Sequence, residues 1–366
     1  MNRKIVIAVT GIIALLAILF VVWNIEKKPQ DDSGVDRVVS EGQTTKPASK
    51  SSTKTTQTTS VIQNTQPLYF SSMTHMEGNF KDDTVEALFD KHVADIRWAM
   101  DLFDEYGAKL TIESGESFAK ANGKWGTNIL KEVLDAGHGV GTHADFGVEP
   151  GTNPTLASLT EDFKRAKKLV DDLVGAENNR GVSGGTSSAD WVLAASTAGF
   201  KYMDAVTAFG YLSMPLSARP DGWTDAYIRK VVYHDPIPPE FSERIYPKVL
   251  ADATDLESDE DGVLTVLGGD IGELASLAEG RSNCLPNCTL DEADVAAVVM
   301  AIEQADSVRD PSLFARLNVH IPLVLLNKKN ETTLRSLLSQ IQSYAKVGTV
   351  TWGTQRETHD AFQMYQ

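Results

Sequence analysis

From Pro67 onward, strand-like and helix-like patterns alternate along the chain, and this alternation constrains the fold more than any other feature. Leu68 to Met73 reads as a strand. Apolar residues then recur at helical spacing between Thr84 and Tyr106 (Val85, Leu88, Phe89, Val93, Ile96, Met100, Phe103), and Gly107 stops that helix. Ala108 to Ile112 reads as a second strand. Asn128 to Ala136 reads as a short helix closed by Gly137, and Gly139-Val140-Gly141-Thr142 leads into another strand end. Helices are predicted from Leu159 to Val174, with Thr160 as the cap, and from Ser188 to Ala198, ahead of Phe200-Lys201-Tyr202. Towards the C-terminus Leu317 to Leu326 is strand-like, Glu331 to Ala345 helical, and Val347 to Trp352 a last strand. Repeated β-α units over this length imply an α/β barrel or a doubly wound sheet.

The segment before this domain has a different character. Ile5 to Trp23 are nineteen consecutive residues without a charge, enough to cross a hydrocarbon core as a helix. The run ends in Phe20-Val21-Val22-Trp23, bulky where a cleavable leader needs small residues, so residues 1–23 read as a retained transmembrane anchor with an interfacial Trp at its outer end. Residues 24–66 hold almost no large apolar side chains, and eleven of the eighteen residues from Gln43 to Ser60 are Ser or Thr. Such a stretch buries too little to offset its ordering entropy and reads as a flexible tether. Arg3 and Lys4 on one side of the apolar run face Lys27 and Lys28 on the other, so flanking charge alone does not orient it.

Residues 1–66 hold eight Lys or Arg and five Asp or Glu, which leaves 26 basic and 45 acidic side chains, a net of −19, for residues 67–366. A domain this acidic is a poor partner for nucleic acid or anionic lipid. Cys284 and Cys288 are the only cysteines. Two cysteines without a nearby His are too few for a metal site, and a pair clipping a small loop fits a disulfide in an oxidising compartment. That places the domain on the extracytoplasmic side of a single-pass anchor in the cytoplasmic membrane.

Chemistry on such a barrel collects at the C-terminal ends of the strands. There the first strand carries Thr74-His75-Met76-Glu77-Gly78-Asn79, a later one His138 through His143 to Asp145, and the last but one Val319-His320-Ile321-Pro322. His75 and Glu77, two apart on a strand end, point the same way. Imidazole and carboxylate together suit Zn²⁺, with Mn²⁺, Co²⁺ and Fe²⁺ as alternatives.

This arrangement resembles the polysaccharide deacetylases of the chitooligosaccharide deacetylase type. The resemblance implies a distorted (β/α)₇ barrel, a divalent metal, and removal of acetyl groups from an acetylated polysaccharide. In that family the first strand ends in Thr-Phe-Asp-Asp-Gly; Thr74-His75-Met76-Glu77-Gly78 takes its place, which makes Glu77 the metal carboxylate. Gly137-His138-Gly139-Val140-Gly141-Thr142-His143 is similar to the second motif and makes His143 a metal histidine, with His138 structural. Arg180 stands for the arginine of the third motif, and Gly184-Gly185-Thr186-Ser187-Ser188 resembles the segment after it. Val319-His320 resembles the closing His-bearing strand. Two departures matter. The family's second metal histidine falls at Gly147, and its base aspartate at His75 or Met76. The resemblance then implies either a metal set of His75, Glu77 and His143, with Asp145 or His320 assisting, or a site that has lost its metal; in the first case Asp145 or Asp82 is the general base and His320 the acid for the leaving amine.

Trp191, Trp223, Tyr227 and Trp352 are candidates for stacking on sugar rings, or for core packing. His92 and His359 read as surface residues, and His234 as a groove candidate. The acidic run Glu257 to Asp261 reads as a solvated turn, since a calcium loop's twelfth-position acid would fall at Gly268. Two other classes compete with the hydrolase: a glycan-binding relative without catalysis, and a glycoside-cleaving barrel, which would need two opposed carboxylates.

Overall fold

The computed structural model describes residues 66–366 except 145, 147–152, 233–243, 281–283 and 285–287. The expected anchor, nearly all of the tether, Asp145, Gly147 and His234 lie outside the described residues. Among the described residues, no helix is long and apolar enough to cross a membrane.

Ten strands form one sheet: β1 (Leu68–Met76), β2 (Leu110–Ser114), β3 (Gly139–Ala144), β4 (Gly181–Gly184), β5 (Tyr202–Met203), β6 (Lys248–Leu250), β7 (Leu264–Val266), β8 (Asp270–Glu273), β9 (Ala315–His320) and β10 (Val350–Trp352). Their order is β6-β7-β5-β4-β3-β2-β1-β9-β8, and β10 also pairs with β1. All ladders are parallel except β6 with β7. The sheet curls into a half-barrel. Among the described residues no ladder joins β6 to β8, so the expected (β/α)₇ barrel is realised as an open, mixed sheet.

The helices Glu86–Asp104, Ile129–Asp135, Leu156–Val174, Trp191–Thr197 and Glu331–Lys346 form where the apolar spacing predicts them, whereas Glu116–Lys124, Glu292–Val308 and Gln355–Tyr365 were not read from the sequence. α1 (Glu86–Asp104) buries Phe89, Val93, Ile96, Met100 and Phe103 along one stripe. α2 (Glu116–Lys124) and α3 (Ile129–Asp135) follow. α4 (Leu156–Val174) starts earlier than expected, because Thr155 and Ser158 form a reciprocal capping box. Thr160 is not the cap: it lies inside the helix and donates to the Leu156 carbonyl at 2.8 Å. α5 (Trp191–Thr197) is capped by Asp190, which accepts from the Leu193 amide at 3.0 Å. α6 (Glu292–Val308) and α7 (Glu331–Lys346) cover the far side. A further helix, α8 (Gln355–Tyr365), begins with a Thr354–Glu357 capping box. β9 ends at His320 instead of running to Leu326, since Pro322 has no N–H for a ladder and a 3₁₀ turn follows at Leu323–Leu325.

Strand alternation divides the residues into two sets. Leu68, Phe70, Met76, Leu110, Ile112, Val140, Leu317 and Val319 face outward into the apolar core under the helices. The other set faces into the half-barrel and is mostly polar or glycine, Met73 being an exception. Register places Ser71 beside Asn318, Met73 beside His320 and Thr111, and His75 beside Glu113. It likewise places Glu113 beside Gly141, and His143 beside Ser183.

Two histidines read as surface residues are buried. His92 sits in α1 with Nδ1 2.7 Å from Asp82 Oδ1. His359 lies under Tyr202, ring centroids 4.8 Å apart. Each occupies the inward stripe of an amphipathic helix, α8 in the second case being one the sequence reading did not find.

Candidate active site

Because β9, β1, β2, β3 and β4 are parallel neighbours, polar residues from separate strand ends meet at one end of the half-barrel. The rings of His143 and His75 stack with centroids 4.0 Å apart and planes 19° from parallel. His320 stacks on the other face of His75 at 4.3 Å and 27°. Glu77, just past β1, spans the edge of the first pair. One of its oxygens is 3.3 Å from His143 Nε2 and the other 3.9 Å from His75 Nδ1. The ligand atoms of His75, Glu77 and His143 all lie within 4.8 Å of one another. Glu77 is 37% exposed while His143 is 5% exposed, so the cluster opens to solvent on the carboxylate side.

The remaining ring nitrogens point into the protein. His75 Nε2 is 2.9 Å from Glu113 Oε2, and His143 Nδ1 is 2.9 Å from Ser183 Oγ. His320 Nδ1 is 3.7 Å from Glu273 Oε2, and Glu273 Oε1 accepts from the Cys284 amide at 2.6 Å. Burial pushes Glu113 up to about 7, opposed by the Ser183 hydroxyl and by the positive charges of His143 and Arg316. Gly141 leaves room for this side chain, since a Cβ there would meet Glu113 Cγ at 3.3 Å.

Deeper in the half-barrel the fully buried Arg316 crosses from β9 to β5. Its guanidinium pairs with the Asp204 carboxylate and donates to the Asp204 and Gly268 carbonyls at 3.0 and 2.7 Å. Nε and Nη2 donate to Ser71 Oγ at 3.0 and 2.8 Å. Asn318 joins the set, donating to Asp204 Oδ2 at 3.2 Å.

Asp270, beside Asn318, is raised to about 6 by burial and by the neighbouring Asp204 charge. The sign follows directly. The native carboxyl keeps a proton that the unfolded chain has already lost, so this group lowers stability as pH rises from about 4 to about 6. The loss is at most about 3 kcal/mol. Thermal unfolding from pH 4 to 7 should show a shallower fall for Asp270→Asn than for the parent; identical slopes would refute the assignment.

Elsewhere the expected residues are placed differently. The Asp82 carboxylate bonds His92 and its carbonyl accepts from Trp125 Nε1 at 2.8 Å, which makes it structural and not the base. Arg180 precedes β4, at the end of the sheet opposite the histidines, and binds Asp360 of α8 at 2.5 and 2.6 Å. Trp191 is fully buried and donates to the Gly210 carbonyl and Ser213 Oγ, so it has no face to offer a sugar. Trp223 packs edge-on against Tyr211 at 5.2 Å, with Tyr227 6.3 Å away. Trp352 meets Phe70 edge-on at 5.0 Å, low on β1 and away from its C-terminal end. His138 accepts from the Leu110 amide, a structural role as expected. Cys284 and Cys288 form the expected disulfide. Glu113, Ser183, Asp204, Glu273 and Arg316 were not read from the sequence. Glu113 alone carried a signal, as an acid closing the apolar strand Leu110-Thr111-Ile112.

Two imidazoles and a carboxylate converging from separate strand ends, open on one side, are a donor set that fits a divalent metal such as zinc. No family model and no curated protein sequence matches the chain. Solved structures do match. A candidate polysaccharide deacetylase from Mycobacterium smegmatis aligns with TM-score 0.52 at 10% identity, covering 82% of this chain and 92% of that one. Another from Pseudomonas aeruginosa PAO1 gives 0.50 at 11% identity, covering 81% and 91%. A candidate glycoside hydrolase/deacetylase from Parabacteroides distasonis gives 0.50 at 9% identity, covering 82% and 72%. The chain has the fold of these proteins.

Proposed function

We propose that this chain is a divergent, metal-dependent deacetylase of an acetylated polysaccharide, held at the outer face of the cytoplasmic membrane by residues 1–23. The convergence of His75, Glu77 and His143, on the fold shared with candidate polysaccharide deacetylases, carries this reading. These three residues would hold a zinc ion, which when bound lowers the pKa of a water and polarises the acetyl carbonyl. His320, stacked on His75 and backed by Glu273, is positioned to give a proton to the departing nitrogen. Asp145, two residues past His143 in sequence, is the general base in this scheme. The apolar run Ile5–Trp23 and the disulfide support the extracytoplasmic location.

The full chain, loaded with zinc, should bind about one ion and release acetate from chitooligosaccharides, peptidoglycan or acetylated exopolysaccharide. His320→Ala should keep the zinc and lower kcat by roughly 10²–10⁴-fold. A wild-type chain that takes up no stoichiometric zinc would favour the glycan-binding relative, and bound zinc without acetate release would discard the reaction. A reporter that works only outside the cytoplasm, fused after Gln66, should be active in membranes; silence there removes the anchor.

A further inference from the structure

Among the described residues no ladder closes the half-barrel between β6 and β8. A cavity of about 500 Å³ is lined from both sides of that gap, by Lys248 and Leu250 of β6 and by Asp270 of β8. We propose that this cavity seats one sugar unit of an uncharged glycan, farther along the polymer from the unit held at the histidines, with Asp270 accepting from its hydroxyls. The proposal rests on the deacetylase reading above and adds to it the class of polymer that the site takes.

The cavity lies at the same end of the sheet as the histidines. Ala205 and Val206 follow β5, and Gly268 and Gly269 follow β7, two strands that run parallel with β4 and β3. Asp270 pairs with Asn318, two residues before His320, which puts the Cα atoms of Asp270 and His320 about 8 Å apart. Val206, Met214, Leu250, Leu256 and Val266 give the cavity apolar walls. Gly268 and Gly269, both at positive φ, put bare backbone into it, and a Cβ on Gly269 would collide with the Arg316 carbonyl.

Charge and hydrogen bonding decide among ligands. Arg219, Arg244 and Lys248 line the cavity together with Asp255, Glu257 and Asp270, so these side chains carry no net charge. Arg219 binds Asp225 at 2.6 Å, and Lys248 lies 3.8 Å from Glu257. The net −19 of residues 67–366 repels an anionic polymer. A hydrocarbon fits no better, because it would cover the Asp270 carboxylate without giving it a hydrogen bond. A sugar ring has an apolar face for the walls and hydroxyl donors for Asp270. That carboxylate accepts the Gly272 amide at 3.2 Å, and an ionised carboxylate has room for several donors.

Binding is read on the zinc-free full chain at pH 8, without turnover. Calorimetric titration with chitotetraose and with xylotetraose, two uncharged oligomers, should show at least one of them bound. It should bind about tenfold more tightly than its monosaccharide, or better, the worth of a buried apolar face and a hydroxyl bond. Tetragalacturonate, an anionic oligomer of that length, should bind at least about tenfold more weakly. Hydrogen exchange should slow in residues 205–220 and 244–257 when the neutral tetramer binds. Ala218→Trp, at an exposed wall residue, should remove the preference for the tetramer over the monosaccharide; if it does not fold, Ser217→Trp serves, on the same turn. No binding of either neutral tetramer, equal binding of the anionic one, or protection confined to the histidine end would overturn the proposal. A length preference that the tryptophan leaves untouched would overturn it as well. A chain that passes these tests and, loaded with zinc, releases no acetate keeps the cavity and loses the deacetylase reading. Acetate release without any length preference does the reverse.

Discussion

His143→Ala is expected to give a folded chain that retains no zinc at one ion per molecule and releases no measurable acetate. His143 supplies Nε2 to one Glu77 oxygen while His75 Nδ1 faces the other, and Gly147, where the resembling family has its second histidine, has no side chain to substitute. With the ring gone, one imidazole and one carboxylate remain, too few for a closed divalent site. The fold should survive because the ring projects into the half-barrel and the apolar core lies on the opposite strand face. Metal analysis, circular dichroism and acetate assay on one preparation would check all three points. Zinc retained at wild-type stoichiometry would sink the ligand assignment even if activity fell.

Arg316→Leu is expected to have the largest effect on stability. Both Arg316 and Asp204 are fully buried, and the guanidinium ties β9 to β5, Gly268 and Ser71 at once. Removing it strands the Asp204 charge and orphans two carbonyls, so the loss should be about 3–5 kcal/mol. Urea unfolding would show it as a lowered midpoint. Adding Asp204→Asn should recover part of the loss, since the uncompensated charge goes with it. A single variant within about 1 kcal/mol of the parent would show that the pair does not brace the sheet.

Five helices and the outward faces of the main strands were legible in the sequence because they depend on apolar periodicity, which survives in a single chain, whereas α2, α6 and α8 were not read from it. The phase of α1 and the position of His75, Glu77, His143 and His320 at strand ends follow from that pattern. What could not be read is what depends on which strands become neighbours. Glu113 looks like an ordinary strand-end acid until β2 is placed between β1 and β3. Arg316, just before the strand read from Leu317, carries no signal of its own until the half-barrel brings Asp204 to it. Trp191 fails as a sugar platform for the same reason: its helix turns it inward, towards Gly210 and Ser213. The strand order itself, with β6 running against β7 and no ladder from β6 to β8 among the described residues, left no mark on periodicity.

The division of each strand into an apolar outer face and a polar inner face has a consequence for how such a chain can change. Successive residues answer to different demands, so an inward position can be exchanged without disturbing the packing that holds the helices. The ladder carries the substitution at its next-door neighbour, not through the core. A carboxylate or imidazole can then move one strand along, or two residues up, and the scaffold tolerates the move. This barrel can thus hold a ligand set with His75 in it, on strands whose outer faces still build the shared architecture.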